Sequence, residues 1–400
     1  MLDAYIYDGR RSAFGRNAGA LARIRPDDLL GQVMKSVVDD SPFSADSIED
    51  VHVGCANQAG EDSRCVARHA ALLAGLPVEV PGTVLQRNCG SGLNAIITAA
   101  HAITCNEADV IVAGGVESMT RAPFVVGKAE SPYTKTFNAF ESSLGARFPN
   151  PRIEHEHGDD TMPQTADNLA MEFQLTRESC DVFAAASQSK YAAAKADGFY
   201  DDEILTVTIP GSRKQPDVTI EEDEHPRPDT TSDGLAKLRP LFPEGVTTAG
   251  NASGINDGAV AMIVASREAG EKAGAEPRVR IVSSAVAGVP PRTMGFGPVP
   301  AAKKALERAG LTVADMDVIE VNEAFAAQVL ACLKGLGVAE DDSRVNPNGG
   351  AITIGHPLGA SGPRIALTAA RQLERQNGRY ALVSMCIGVG QGIAAVIERV

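Results

Sequence analysis

The sequence predicts a layered α/β protein made of two similar halves, with a different segment set between them. Three observations carry this. Short runs rich in Val and Ile alternate with Ala-rich helical stretches, the pattern of strands buried on both faces by helices. Three pairs of segments match at nearly one offset, 268 to 271 residues. A period that long marks a duplicated domain, not a solenoid. Finally, residues 121–250 concentrate proline, with Pro123, Pro132, Pro149, Pro151, Pro163, Pro210 and Pro216 among eleven.

Taken in order, the first half is expected at 1–120, resuming at 251–270. Val51-His-Val-Gly54 pairs with Ile319-Glu-Val-Asn322 as equivalent strands. Cys89-Gly-Ser-Gly-Leu-Asn-Ala opens an Ala-rich helix and resembles Gly359-Ala-Ser-Gly-Pro-Arg-Ile. Val110–Ala113 is a short buried strand closed by Gly114-Gly115, and its counterpart is Ala381–Met385. The middle segment, 121–250, reads as an inserted loop domain. Asp181–Lys195 is nearly all helix formers, and Phe and Leu nearby argue for packing over a disordered linker. The second half is 271–400. Its helices are Pro300–Ala309, stopped by Gly310, and Ser361–Arg375.

Composition narrows the function. The chain has 400 residues and a net charge of −14. That charge argues against nucleic-acid binding. Trp is absent and aromatics are 4%, which leaves few stacking platforms. No apolar run reaches a membrane span, and the N-terminus lacks a signal-peptide pattern. The seven cysteines are scattered, odd in number and without a CxxC pair. They predict reduced thiols in a cytoplasmic protein with no metal site. The charge is uneven: −6 over 1–120, −9 over 121–250 and +1 over 251–400.

Four constellations carry chemistry. Arg87-Asn-Cys89-Gly-Ser-Gly92 puts a thiol at a strand-to-helix turn, where helix N–H groups stabilise a thiolate. A small buried cysteine in a tight turn is the plainer alternative. His356, between Gly355 and Pro357, is awkward for a core and suits a general base; a turn histidine fits too. Cys386, in Ser384-Met-Cys-Ile-Gly388, follows the second-half strand and offers a second thiol for proton transfer or a buried structural cysteine. Asn322, before Glu-Ala-Phe325, could polarise a carbonyl or hold a water, or simply cap a helix.

Their joint occurrence resembles the thiolase family over essentially the whole chain. The matching motifs are Cys89-Gly-Ser-Gly92, Asn322-Glu-Ala-Phe325, Gly355-His-Pro-Leu-Gly-Ala-Ser-Gly362, Cys386-Ile-Gly-Val-Gly-Gln-Gly392 and Ala249-Gly-Asn-Ala-Ser253-Gly. The resemblance implies a five-layered αβαβα fold from two duplicated halves, with a loop domain inserted in the first. It implies a two-step acyl exchange on CoA esters. Cys89 would be the nucleophile, His356 its base and Cys386 the acid and base at carbon. Asn322 with His356 would form one oxyanion site, and the N–H groups of Cys89 and Gly388 the other. CoA is then a co-substrate with no bound cofactor. Ser253 would touch its pantetheine arm, and Arg227 would lie near its nucleotide. Homodimers, often paired into tetramers, are implied as well.

Within the family, Gly54–Asp62, Arg121–Ser131, Arg147–Pro151 and Gly158–Ala166 resemble the branch that splits 3-oxoadipyl-CoA into succinyl-CoA and acetyl-CoA. A thiolase of acetoacetyl-CoA or of broad 3-ketoacyl-CoA range is the alternative. Around the nucleophile the branch usually has Asn-Arg-Leu-Cys-Ala-Ser-Gly-Met, and this chain has Gln86-Arg-Asn88-Cys89-Gly90-Ser-Gly-Leu93. One of Arg152, His155 or His157 is a candidate to meet a distal carboxylate. Two rivals remain: a decarboxylating 3-oxoacyl synthase, which usually carries two histidines where Asn322 and Cys386 stand, and an inactive lipid-binding scaffold, which would be expected to have lost Cys89, His356 or Cys386.

Overall fold

The computed structural model describes residues 2–400 apart from Ser212 and Gln215. Four strands of the first half run Asp50–Gly54, Val110–Ser118, Asn256–Ala265, Ala4–Ser12 across the sheet. Four of the second half run Val318–Val321, Tyr380–Ile387, Gln391–Arg399, Val279–Gly288. In each set the successive pairings are parallel, antiparallel and antiparallel. The duplication read from three short matches is thus a duplication of topology. The sets join where Ala4–Ile6 pairs antiparallel with Val279–Ile281. Thr83–Leu85 adds a parallel edge strand beside Asp50–Gly54.

Among the described residues three large clusters of buried apolar side chains define the layers, and a small fourth surrounds Cys386. One lies between the two halves of the joined sheet, the first and the second: Leu93, Ile96 and Ile97 of helix Ser91–Thr104 and Ile365, Leu367 and Leu373 of helix Leu358–Gln376 meet Ile111 and Met262 from one side and Val383 and Ile393 from the other. A second packs helices Pro26–Asp39 and Val66–Leu73 on the outer face of the first sheet. A third packs helices Pro298–Ala309 and Ala326–Leu336 on the outer face of the second. Alternation along each strand explains this. Ile111 and Ala113 face inward while Val110 and Val112 face outward.

Among its described residues the middle segment holds four helices, Pro151–His157, Met162–Phe173, Arg177–Ala196 and the short Ser232–Leu235, and two small antiparallel strand pairs. Helix Arg177–Ala196 contains the predicted 181–195 stretch and starts in a capping box at Thr176. The segment is tied to the first strand by a buried network. Arg11 Nε donates to Glu203 at 2.5 Å, and its two terminal nitrogens donate to Asp223 at 2.6 and 2.8 Å. Asp223 also accepts from the Phe14 N–H and from Tyr191 Oη. Every partner is satisfied, the condition under which a buried ion pair holds rather than destabilises.

The two central helices touch at their N-terminal ends through glycine. A side chain on Gly92 would strike the Gly359 carbonyl at 2.1 Å, and one on Gly362 would strike the Leu93 N–H nitrogen at 2.3 Å. Only glycine permits this approach. It brings the turn carrying Cys89 against the turn carrying His356, residues that lie 267 positions apart in the sequence.

Candidate active site

Cys89 stands two residues before helix Ser91–Thr104, half-buried against the central cluster. Asn88 before it adopts φ +43°, a left-handed conformation that Asn accepts more readily than Leu. Its Nδ2 donates to the Gly388 carbonyl at 3.2 Å. The unusual Asn88 therefore ties the nucleophile turn to the opposite half. The Gly388 turn is itself strained, with Val389 at φ +68°. A β-branched residue there costs of order 1–3 kcal/mol and persists only where its surroundings enforce it. Burial pushes the Cys89 thiol up to about 11, and the N–H groups of Gly388 and of Cys89 itself pull it down. Both N–H groups therefore lie near the Cys89 sulfur.

Cys386 lies within strand Tyr380–Ile387, not after it as its motif predicts, and is fully buried. Burial raises its thiol well above the usual range, with Cys89 and Cys332 adding to the effect. The two thiols thus lie within electrostatic reach of each other. Around Cys386 pack Ala166, Ala252, Met294, Ala324 and Phe325.

His356 is held on three sides. Its N–H donates to Asn256 Oδ1 at 3.0 Å. Ser361 Oγ donates to the Pro357 carbonyl at 2.9 Å, so it must accept from His356 Nδ1–H at 2.6 Å. That leaves Nε2 with its lone pair, the tautomer a base requires. Burial, and then the Arg364 charge, hold the imidazole down to about 4. With the thiol raised and the imidazole lowered, both groups are neutral near pH 7, so a transfer from one to the other has to accompany attack rather than precede it.

Asn322 does not cap a helix. The next helix begins at Ala326, with Phe325 at its N-cap position. Instead the Asn322 Nδ2 lies 3.4 Å from both ring nitrogens of His356. The Asn322 Oδ1 is buried without a protein partner among the described residues, which leaves an acceptor at the site. The Asn322 N–H donates to the Ser384 carbonyl, two residues before Cys386.

A family model for the thiolase N-terminal domain matches residues 4–268, and one for the thiolase C-terminal domain matches 275–399. The chain belongs to the thiolase family. It is 55% identical, over 100% of both chains, to a beta-ketoadipyl-CoA thiolase of Acinetobacter baylyi. It is 52% identical, again over 100% of both, to the 3-oxoadipyl-CoA/3-oxo-5,6-dehydrosuberyl-CoA thiolase of Escherichia coli. Among solved structures, a Bacillus anthracis acetyl-CoA acetyltransferase superposes with TM-score 0.93 at 36% identity, covering 100% of this chain and 99% of that one. Human mitochondrial 3-ketoacyl-CoA thiolase gives 0.91 at 38%, with the same coverage. The protein is accordingly an acyltransferase with the five-layered thiolase fold.

Two further residues sit on one side of this thiolase site. The Ser253 N–H donates to the Ala324 carbonyl at 2.9 Å, which places it beside the Asn322–Phe325 loop. Arg227 is exposed, its N–H donating to Gln188 Oε1. Between them lies His225, whose Cε1 is 2.4 Å from where a Gly254 side chain would stand. Burial, then Arg227, lowers the His225 pKa.

On the other side, Met162 Sδ lies 3.6 Å from where a Gly388 side chain would stand. Beyond it a cleft of about 630 Å³ is lined by His155, His157, Asp160, Gln164, Pro291 and Arg292, among others. Arg152 is outside this lining, its side chain 87% exposed and 3.9 Å from Glu156. Arg292, which no motif flagged, donates to Asp160 at 2.7 Å.

Sequence patterns also missed Glu117, Ser361 and Asn256. Glu117 accepts from the N–H groups of Ala56, Asn57 and Gly359, each at 2.9 Å, and so pins the loop after His356 to the first half. Burial raises it to about 7. With Cys55 and Asp62 it forms a close acidic group. Its oxygens are already taken by N–H donors, which suits a structural carboxylate better than a metal ligand. A carboxylate inside an otherwise apolar strand run was the available signal.

Proposed function

We propose that this thiolase cleaves 3-oxoadipyl-CoA with CoA into succinyl-CoA and acetyl-CoA, reversibly as a Claisen condensation. The observation that carries the chemistry is two thiols within electrostatic reach, one served by the N–H groups of Cys89 and Gly388, in a site that also holds the His356–Asn322 pair. Relatives at 52–55% identity with the 3-oxoadipyl specificity in their names support the acyl chain.

Each step balances. His356 Nε2 takes the Cys89 proton as sulfur attacks the C3 carbonyl. The C2–C3 bond then breaks, and its electrons form the enolate of acetyl-CoA. Cys386 gives its proton to that carbon. CoA next loses its thiol proton to Cys386 and attacks the succinyl group on Cys89. The leaving sulfur recovers its proton from His356. A thioester enolate is a poor leaving group, so pre-placed donors matter, each worth about 3 kcal/mol. Asn322 with His356, and the N–H groups of Cys89 and Gly388, are assigned to the two oxyanions. Ser253 is assigned to the pantetheine arm and Arg227 to the nucleotide end. CoA brings its own negative charge, so local cations matter more than the net −14.

A thiolysis panel tests the substrate. The kcat/KM for 3-oxoadipyl-CoA is expected to exceed that for 3-oxohexanoyl-CoA, which has the same chain length without the carboxylate, by about tenfold or more. Equal values would overturn the dicarboxylate reading and leave a broad 3-ketoacyl-CoA thiolase. Preference for acetoacetyl-CoA would point to the acetyltransferase type instead.

Self-association is part of the same reading. Phe124, Phe137, Leu144 and Phe148 are exposed within one stretch, and an apolar patch of that kind favours a protein contact. Light scattering is expected to give two or four times the chain mass of 41.7 kDa. A monomer at micromolar concentration would overturn it. Among the described residues no helix is long and apolar enough to cross a membrane.

A further inference from the structure

The N–H donor at Gly388 must be held in place, and its own residue does not hold it. Gly388 opens the three-residue loop between strands Tyr380–Ile387 and Gln391–Arg399. Its φ is outside the left-handed region, and a side chain would fit there, with Met162 Sδ at 3.6 Å and Asn88 Nδ2 at 3.8 Å. Glycine in such a place leaves the backbone loose. The next two residues, Val389 and Gly390, have φ of +68° and +78°. Val389 is exposed, so core packing does not enforce its unfavourable conformation.

The restraint comes from other segments. The Gly390 carbonyl accepts from the Val289 N–H at 2.8 Å. The Gly388 carbonyl accepts from Asn88 Nδ2 at 3.2 Å. Asn88 Oδ1 accepts from Gln86 Nε2 at 3.0 Å, so the amide is used at both ends. Arg87 adds a second tie: its Nη1 donates to Gln391 Oε1 at 3.2 Å, just past the far end of the loop.

Asn88 also aims the other donor. The Cys89 N–H belongs to the peptide whose carbonyl is that of Asn88. This carbonyl accepts from Ser91 Oγ at 2.6 Å and from the Ser91 N–H at 3.1 Å. In a planar trans peptide the N–H points opposite to the carbonyl. Two donors on the carbonyl therefore fix the direction of the Cys89 N–H. The turn that allows this puts Asn88 at φ +43°.

We propose that Asn88 is the positioning residue of the acyl oxyanion site: its backbone aims the Cys89 N–H and its side-chain amide holds the Gly388 loop, so one residue sets the spacing of both donors. This rests on the reading of Cys89 as the nucleophile. Both donors lie near its sulfur. The charge they serve is therefore the oxyanion on the carbon bonded to that sulfur, which forms in acyl transfer. The enolate oxygen is left to Asn322 and His356, and Asn88 bonds to neither among the described residues. Asn88 thus acts on one half-reaction. The leucine that the branch usually carries here has no amide to donate, so the clamp is a device of this chain.

The test separates the two half-reactions. Asn88→Gly keeps the left-handed backbone and deletes the amide. Single-turnover loading of Cys89 by acetyl-CoA, read by intact-protein mass, is expected to slow about tenfold in this variant. Asn88→Leu is expected to lose at least as much, because it also strains the turn. It carries the same test should Asn88→Gly not fold. Deuterium exchange from heavy water into the methyl group of acetyl-CoA, measured on acetylated enzyme, reads the enolate step and is expected to be unchanged. Loading at the wild-type rate would overturn the inference and leave the function standing. Equal loss of loading and exchange would mean a general loosening of the site and would overturn it as well. A wild-type chain that takes no acetyl group would overturn Cys89 as the nucleophile, and the inference with it.

Discussion

Cys386→Ala is expected to load an acetyl group onto Cys89 from acetyl-CoA at near the wild-type rate, yet to lose carbon–carbon bond making and breaking by roughly 10²–10⁴-fold. The two half-reactions need different groups. Acyl transfer to sulfur uses Cys89, His356 and the two N–H donors. Only the enolate step needs an acid at carbon, and Cys386 is the thiol beside Cys89. Replacing it leaves a small apolar gap among Ala166, Met294 and Phe325, so the fold should tolerate the change. Intact-protein mass, which reads the acetyl adduct, separates the outcomes when set beside a thiolysis assay. Equal loss of both activities would refute the division of labour.

Cys89→Ser is expected to be the more severe lesion, with no acyl adduct and a loss on the order of 10⁴-fold or more in both directions. The reason is the proton. The Cys89 thiol, pushed up to about 11, already needs a base during attack, since His356 sits near 4. A serine hydroxyl is harder still to deprotonate. Wild-type labelling by acetyl-CoA at Cys89, absent in the variant, checks this by peptide mapping. An adduct at Cys386 in the Cys89→Ser protein would reverse the assignment of nucleophile.

Much of the architecture was legible before any coordinates. Val and Ile runs mark strands covered on both faces, because such strands have no solvent side on which to alternate. Matches at one offset marked the duplication, and their strands do hold equivalent places in the two halves. The motifs around Cys89, His356, Asn322 and Cys386 stood out because Gly and Pro around reactive residues are poor choices for a core. Local pattern left Asn322 open, since an Asn before Glu-Ala-Phe fits a helix cap as well as a site; the chain stays non-helical to Phe325 and the helix starts later. It misplaced Cys386 by ending the strand too early.

Other residues carried no local signal at all. Ser361 reads as one more small residue in a helix. It acquires meaning from its partner, a ring five residues back on a turned chain. Arg292 is likewise ordinary until it faces Asp160 across a cleft.

By itself the sequence determined the α/β class, the duplicated halves, the reactive residues and the family they resemble, because periodicity, glycine placement and motif order are written along one chain. Only the tertiary structure decided the working state of those residues: the tautomer of His356 and the suppressed ionisation of both thiols. Those depend on burial and on contacts between distant segments, and burial is a property of the assembled layers, not of any stretch of sequence.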